Sequence, residues 1–296
     1  MTIAPPCLPA REGTRPEVAP PQNACDTHAH VFGSAHRFPN AEDRSYKPPD
    51  APLEKNVAML DAVGFARGVL LQGSAHGRDN AAMLGALTRQ PDRLRGVAVM
   101  GSDMPPETLH DWNWPGARAL RFNDFFRGGQ SHYRGGVPQT AAQTLAPVIA
   151  ELGWHLQFWI DVRDLPDTIL TLKQLGLPVV IDHMGRIDAR AGIETDGVQS
   201  RLGAVDEGWC WGKPPGAHRI GQQAPDSPDA RPFQEALVRA NPERLIWGSD
   251  WPHSRVEGEM PDAGHLFELL QAWTRDEETR LRILVTDPGG IFGFTD

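Results

Sequence analysis

Eight short runs of aliphatic and β-branched residues alternate with longer amphipathic segments along most of this chain, and few folds accept that alternation. The runs are Ala24–Val31, Gly68–Gln72, Gly96–Met100, Ala117–Phe122, His155–Ile160, Val179–Asp182, Trp209–Lys213 and Leu245–Gly248. Helical spacing of apolar residues falls between them, as at Ala51–Val63, Asp79–Thr88, Gln139–Leu152, Leu165–Leu175, Pro232–Ala240 and Gly264–Thr274. Strand then helix, eight times over about 270 residues, is the arithmetic of an α/β fold of the (β/α)8 barrel type. An open doubly wound sheet would need a glycine-rich phosphate loop after its first strand, and His28-Ala29-His30-Val31-Phe32-Gly33 is not one. The barrel is expected to occupy residues 24–296 as one domain. Residues 1–23 hold Pro5, Pro6, Pro9, Pro16, Pro20 and Pro21 without periodicity, so an extended arm lying over the body is expected there.

Composition supports one large core. The 296 residues are 40% hydrophobic and include nine Trp and eleven Phe, apolar bulk enough for a barrel of this length. With 29 basic against 38 acidic residues the net charge is −9, which argues against general affinity for nucleic acid or an anionic membrane. Cys7, Cys25 and Cys210 are few, odd in number and widely spaced; no disulfide framework is expected, and a reducing cytoplasm fits best. No stretch approaches the roughly 20 apolar residues of a membrane helix, and the N-terminus lacks the basic-then-apolar order of a signal peptide.

Three polar segments close three of the runs: Asp26-Thr27-His28-Ala29-His30, Ile181-Asp182-His183-Met184-Gly185-Arg186, and Trp247-Gly248-Ser249-Asp250-Trp251-Pro252-His253. Alternate strand residues share a side, so His28 and His30 point together. Any one histidine is most simply a hydrogen-bonded strand-end residue. Three of them and Asp250, all at the C-terminal ends where barrel active sites lie, point to a site. Two strand-to-helix connections are long, Phe122–Gln139 and Pro214–Pro232; lids and tolerated surface insertions are equally good readings.

Here the sequence resembles a known group of proteins. His-x-His on strand one, a histidine on strand six and an aspartate on strand eight look like the amidohydrolase superfamily. CDTHAHVFG (25–33), GSAHGRDNAA (73–82), LRFN (120–123), VIDHMGR (180–186) and IWGSDWPH (246–253) resemble, more closely, the 2-pyrone-4,6-dicarboxylate lactonase family. The likeness runs from about residue 24 to 290 and implies hydrolysis of a small carboxylated lactone on a barrel that needs no metal. Ester cleavage needs an activated water, a polarised carbonyl and stabilisation of the charge that develops. Asp250 is the expected base, and His28, His30 and His183 are expected to donate to the carbonyl oxygen.

No cofactor is expected. The alternative is one divalent metal, such as Zn, on His28, His30 and Asp250. A two-metal site is not expected, because strand four offers Arg121 and Asn123, strand five offers Gln157, Trp159 and Asp161, and a guanidinium repels a cation. The expected partner is a small anionic substrate, bound by Arg121, Arg127, Arg186 and Arg219, whose planar forks match carboxylates. Ser74, His76 and Trp159 complete the expected binding set. Trp159 stands where the resembled lactonases carry a tyrosine, so a relative of the pyrone dicarboxylate is a candidate substrate. Trp247, Trp251 and His253 read as wall and support, and Asp182 reads as structural, facing away from its neighbour His183. Two other readings stay open: a mononuclear zinc hydrolase, decarboxylase or hydratase of the same superfamily, and a non-catalytic binder of a small acid. Oligomeric state is not legible.

Overall fold

The computed structural model describes residues 4–123, 126–127, 130–131, 136–214 and 216–294. Its centre is a parallel sheet of seven strands in sequential order: β1 (Cys25–Ala29), β2 (Arg67–Leu71), β3 (Leu94–Ala98), β4 (Ala117–Phe122), β5 (His155–Phe158), β6 (Val179–Ile181) and β7 (Cys210–Gly212). Helices lie between consecutive strands, among them α1 (Leu53–Val63), α2 (Ala81–Arg89), α3 (Thr108–Asn113), α4 (Ala141–Glu151), α5 (Leu165–Gln174), α6 (Asp196–Asp206) and, after β7, α7 (Ala217–Ile220), α8 (Arg231–Ala240) and α9 (Ala263–Trp273).

Residues 245–251 join the two edges of this curled sheet. Leu245 bridges Gly212 of β7, and Trp251 bridges Ala29 of β1, both in parallel sense. The expected eighth strand is thus present as a seam of single bridges, and a side chain explains why. Asp26 Oδ1 accepts from the amides of His28 (3.1 Å) and Ser249 (2.8 Å), taking N–H groups that a regular ladder would use. Asp250 then turns into the left-handed region at φ 64°, which ends any extended run. Gly248 allows the close approach: a Cβ there would lie 2.4 Å from His28 Cβ.

Strand parity sorts the apolar residues into two buried clusters. Cys25, Val69, Leu71, Val97, Ala119, Val180 and Ile246 pack on the concave face together with Phe292 and Phe294. The alternate strand residues, including Leu70, Ala98, Leu120, Leu156, Val179 and Ile181, pack outward among the helices. Moving two residues along a strand from the inner cluster therefore reaches the C-terminal mouth, at Arg121 from Ala119 and at Asp182 from Val180. No helix among the described residues is long and apolar enough to cross a membrane.

The segment before β1 is tied to the body. Cys7 N–H donates to Lys47 O (2.9 Å) and Lys47 N–H to Pro5 O (2.8 Å). Trp251 Nε1 donates to Arg11 O (2.9 Å), and the Thr14 hydroxyl donates to Asp262 (2.7 Å), the residue that caps α9.

Candidate active site

The inner face carries a buried polar layer at the level where β1, β4, β5, β6 and β7 end. Asp182 is its hub and is fully buried. It accepts from Arg121 Nε (2.9 Å), Gln157 Nε2 (2.6 Å) and Lys213 Nζ (3.1 Å). This corrects the expectation that Asp182 faces away from the site. Parity with Val180 turns it inward, while His183 reaches the mouth only because the chain leaves the strand there, with His183 at φ 45°. Burial opposes ionisation of Asp182, but Lys213 and Arg121 prevail and hold its pKa well below the usual carboxylate range.

Lys213 fixes the proton of His28. Its Nζ lies 3.3 Å from Thr27 O, 3.1 Å from Asp182 Oδ1 and 3.1 Å from His28 Nδ1. An ammonium has three hydrogens and no lone pair, so His28 Nδ1 accepts and its proton sits on Nε2. Burial, Lys213 and His183 together push the His28 pKa well down, so this histidine is neutral. His30 has the opposite tautomer. Its Nδ1 lies 3.0 Å from Leu71 O, a pure acceptor, so Nδ1 carries the proton and Nε2 of the neutral ring keeps a lone pair.

Both rings aim Nε2 at Asp250. Oδ1 of Asp250 lies 3.6 Å from His28 Nε2, 3.7 Å from His30 Nε2 and 3.6 Å from His183 Nε2. These gaps exceed a direct hydrogen bond and suit one atom held between the groups. Oδ2 is held by Arg219 Nε (2.6 Å) and Nη2 (2.5 Å), with His218 Nε2 at 3.4 Å. Burial raises the Asp250 pKa, but Arg219 and His183 outweigh it and keep the carboxylate ionised. Burial lowers His183 to about 3, so it too is neutral at ordinary pH.

Above this cluster opens a cavity of about 560 Å³, within the roughly 300–1,000 Å³ common for small-molecule sites. Its described lining includes Arg121, Arg163, Arg186, Arg219 and Arg255 but a single carboxylate, Asp250. Such a balance suits an anionic guest. Arg186, in the left-handed region at φ 54°, stacks its guanidinium 5.1 Å from the Trp159 ring centroid. Ser74 also lines the cavity and bonds Tyr46 Oη at 3.1 Å.

The expected site residues therefore divide cleanly. Asp250, His28, His30 and His183 meet, and Arg121, Arg186, Arg219, Ser74 and Trp159 line the cavity above them. His76 does not line it. Its Nδ1 lies 3.2 Å from Pro39 O and its ring packs 5.6 Å from Phe32, so it supports the loop after β2. Arg127 has its side chain outside the described residues, as does most of the Phe122–Gln139 connection, on which the readings as lid and as surface insertion both fall. Trp247 stacks on Phe65 and Trp251 is buried beside the seam, in keeping with support. Sequence reasoning missed Lys213, Gln157, His218, Tyr46, Arg163, Ser254 and Arg255. Inner-face parity from Trp211 was the available signal for Lys213; the loop residues had none.

One donor set fits a metal. The ligand atoms of His28, His30 and Asp250 lie within 4.8 Å of one another, enough to seat a single divalent ion, as expected for the alternative reading. His30, anchored through Nδ1 to a carbonyl, has the second-sphere contact common to ligating histidines. His28, with Lys213 donating to Nδ1, does not.

The Amidohydrolase family model matches residues 25–294. The chain belongs to the amidohydrolase family. This amidohydrolase is 35% identical over 298 residues to a 4-sulfomuconolactone hydrolase of Rhizobium radiobacter, covering 98% of the chain and 96% of that relative. It is 33% identical over 291 residues to a 2-pyrone-4,6-dicarboxylate hydrolase of Comamonas testosteroni, covering 94% and 93%. Among solved structures, a candidate 2-pyrone-4,6-dicarboxylic acid hydrolase from Acinetobacter baumannii with citric acid bound matches at TM-score 0.80 and 28% identity, over 92% of this chain and 100% of that one. The family expected from the sequence motifs is thus borne out.

Proposed function

We propose that this amidohydrolase opens a small lactone bearing two acidic groups, by attack of water on the ring ester. One observation carries the reading: an ionised Asp250 and three histidines converge beneath a cavity rimmed by arginines. The names of its relatives support a lactone-opening hydrolase, a 2-pyrone dicarboxylate or a sulfonated muconolactone being the nearest substrate types.

A water among the Nε2 atoms has two acceptors, Asp250 Oδ1 and His30 Nε2, one for each of its hydrogens. We therefore assign His30 to the water rather than to the carbonyl, in contrast to the expectation from sequence. As the water oxygen bonds to the carbonyl carbon, Asp250 takes a proton. His28 Nε2–H donates to the oxygen that gains charge, and His183 lies beside it at a ring-centroid distance of 4.3 Å. The ring C–O bond then breaks, its oxygen takes the proton from Asp250, and the new carboxylic acid ionises, releasing one proton to solvent. A divalent ion on His28, His30 and Asp250, where bound, would supply a Lewis acid and a water of lowered pKa. Arg219 and Lys213 already bring two positive charges to these groups, and we read the reaction as metal-independent.

The barrel in this reading has eight staves, the eighth being the 245–251 seam, and forms one domain from residue 24, with residues 1–23 as its arm. A cytoplasmic location accords with three unpaired cysteines. The test is a pH-stat assay against carboxylated lactones. One proton should appear per ring opened, at the same rate after dialysis against chelator and with metal far below one equivalent. Activity that vanishes on chelation and returns with zinc would favour the mononuclear metal enzyme instead. Arg186→Met should raise KM about tenfold or more, since a charged hydrogen bond contributes about 1.5–3 kcal/mol. An unchanged KM would remove Arg186 from the substrate's carboxylate contacts.

A further inference from the structure

The two histidines at the end of β1 meet Asp250 in opposite tautomers. His30 is prepared to ligate a cation: Leu71 O takes its Nδ1 proton at 3.0 Å, and the lone pair of Nε2 is turned to Asp250. His28 has the same reach, with Nε2 3.6 Å from Asp250 Oδ1, but its far nitrogen meets a different partner. Lys213 Nζ lies 3.1 Å from His28 Nδ1, 3.1 Å from Asp182 Oδ1 and 3.3 Å from Thr27 O. Three acceptors thus surround three ammonium hydrogens, and at 2% exposure Lys213 has no bulk water to replace any of them.

A second contender for His28 stands close by. Asp182 Oδ1 is 3.4 Å from the same Nδ1. A carboxylate acting there would draw the proton onto Nδ1 and free the Nε2 lone pair, the arrangement that orients metal-ligating histidines. Lys213 forestalls it. The ammonium is nearer to Nδ1, and it engages Asp182 Oδ1, which also accepts from Gln157 Nε2 at 2.6 Å. The ring has no room to turn aside, because His28 is buried, backed by Gly248 and packed 4.3 Å and 5.1 Å from the ring centroids of His183 and His30.

We infer that Lys213 is a positioning residue whose hold on His28 Nδ1 keeps divalent cations off the His28, His30 and Asp250 set. With its proton on Nε2, His28 turns an N–H toward the place an ion would occupy, so only two of the three groups can coordinate. The positive charge of Lys213 acts in the same direction. Without Lys213, Asp182 would be the partner of His28 Nδ1, the proton would move from Nε2 to Nδ1, and the third ligand would be restored. Asp182 would still be balanced by Arg121 at 2.9 Å. This inference rests on the metal-independent reading of the site and needs no particular substrate.

The experiment measures binding of zinc itself. Protein stripped with chelator is titrated with zinc against a chromophoric competitor, for wild type, Lys213→Met, and Lys213→Met combined with His28→Gln. Changing the group behind a ligating histidine moves affinity about 10–100-fold, and Lys213→Met should bind zinc more tightly by that factor. The double variant should lose the gain. Nitrogen-15 spectra of histidine-labelled protein supply a second readout, with His28 assigned by its loss in His28→Gln. In wild type the His28 proton should sit on Nε2, and in Lys213→Met on Nδ1; circular dichroism checks that each variant is folded. A wild-type His28 protonated on Nδ1 overturns the inference without recourse to any variant. So does a folded Lys213→Met that binds zinc no more tightly than wild type, or a gain in affinity that survives the loss of His28. No lactone enters these measurements, so they decide the role of Lys213 whether or not ring opening is found in its own assay.

Discussion

Asp250→Asn is expected to lower kcat by about 10³-fold, within the usual contribution of a positioned general base. The amide keeps the shape and the contact with Arg219 but cannot take a proton from water. KM should change little, because the cavity arginines remain. Circular dichroism and a thermal melt would show that the fold persists. Wild-type-like turnover in this variant would end the assignment of Asp250 as base. The pH profile offers a second check. Asp250 is depressed well below the carboxylate range, and His183 to about 3, so the reactive pair of ionised acid and neutral base persists as pH falls through 6 and 5. Activity should be lost only as the pH falls to about 3, where His183 takes up a proton, the Asp250 carboxylate staying ionised in more acid solution than an ordinary one does. An acid limb centred near neutrality would implicate a different histidine.

Asp182→Asn should be the most damaging single change to stability. It leaves Lys213 and Arg121 buried without the carboxylate that balances them, and removing one partner of a buried ion pair costs about 3–5 kcal/mol. Urea unfolding would read this as a lower midpoint at constant slope. The variant should also lose turnover, because Lys213 would shed its proton to escape an unpaired charge and could then accept from His28 Nδ1. The His28 tautomer would flip, and the donor facing the carbonyl would be lost. Combining Asp182→Asn with Lys213→Met should be less destabilising than the sum of the two. Simple additivity would show that the two groups are energetically independent.

How much of this was legible beforehand follows from where each residue lies. The alternation of strands and helices announced a parallel sheet, and strand ends announced Asp250 and the three histidines. Asp182 was misread because parity was taken from His183, which lies past the strand in a turn, rather than from Val180 within it. Lys213 looked like the polar end of a strand, since nothing in one sequence shows that β7 stands beside β1 when the sheet curls. His76 sits in a motif with Ser74, but a three-residue turn, Ser74–His76, sends the two in different directions. Arg255 and Ser254 lie in a coiled segment with no periodicity to read.

The seam has a consequence for how this protein comes to life. Its reacting groups are divided between segments more than 200 residues apart: Ser249 is bonded to Asp26, and Asp250 N–H to His28 O. Contacts so distant in sequence form late, since the intervening chain must be ordered first. A nascent chain that has folded six or seven strands holds the histidines but no base. Recovery of turnover after dilution from denaturant should therefore lag behind recovery of secondary structure, marking the moment when the first and last staves dock.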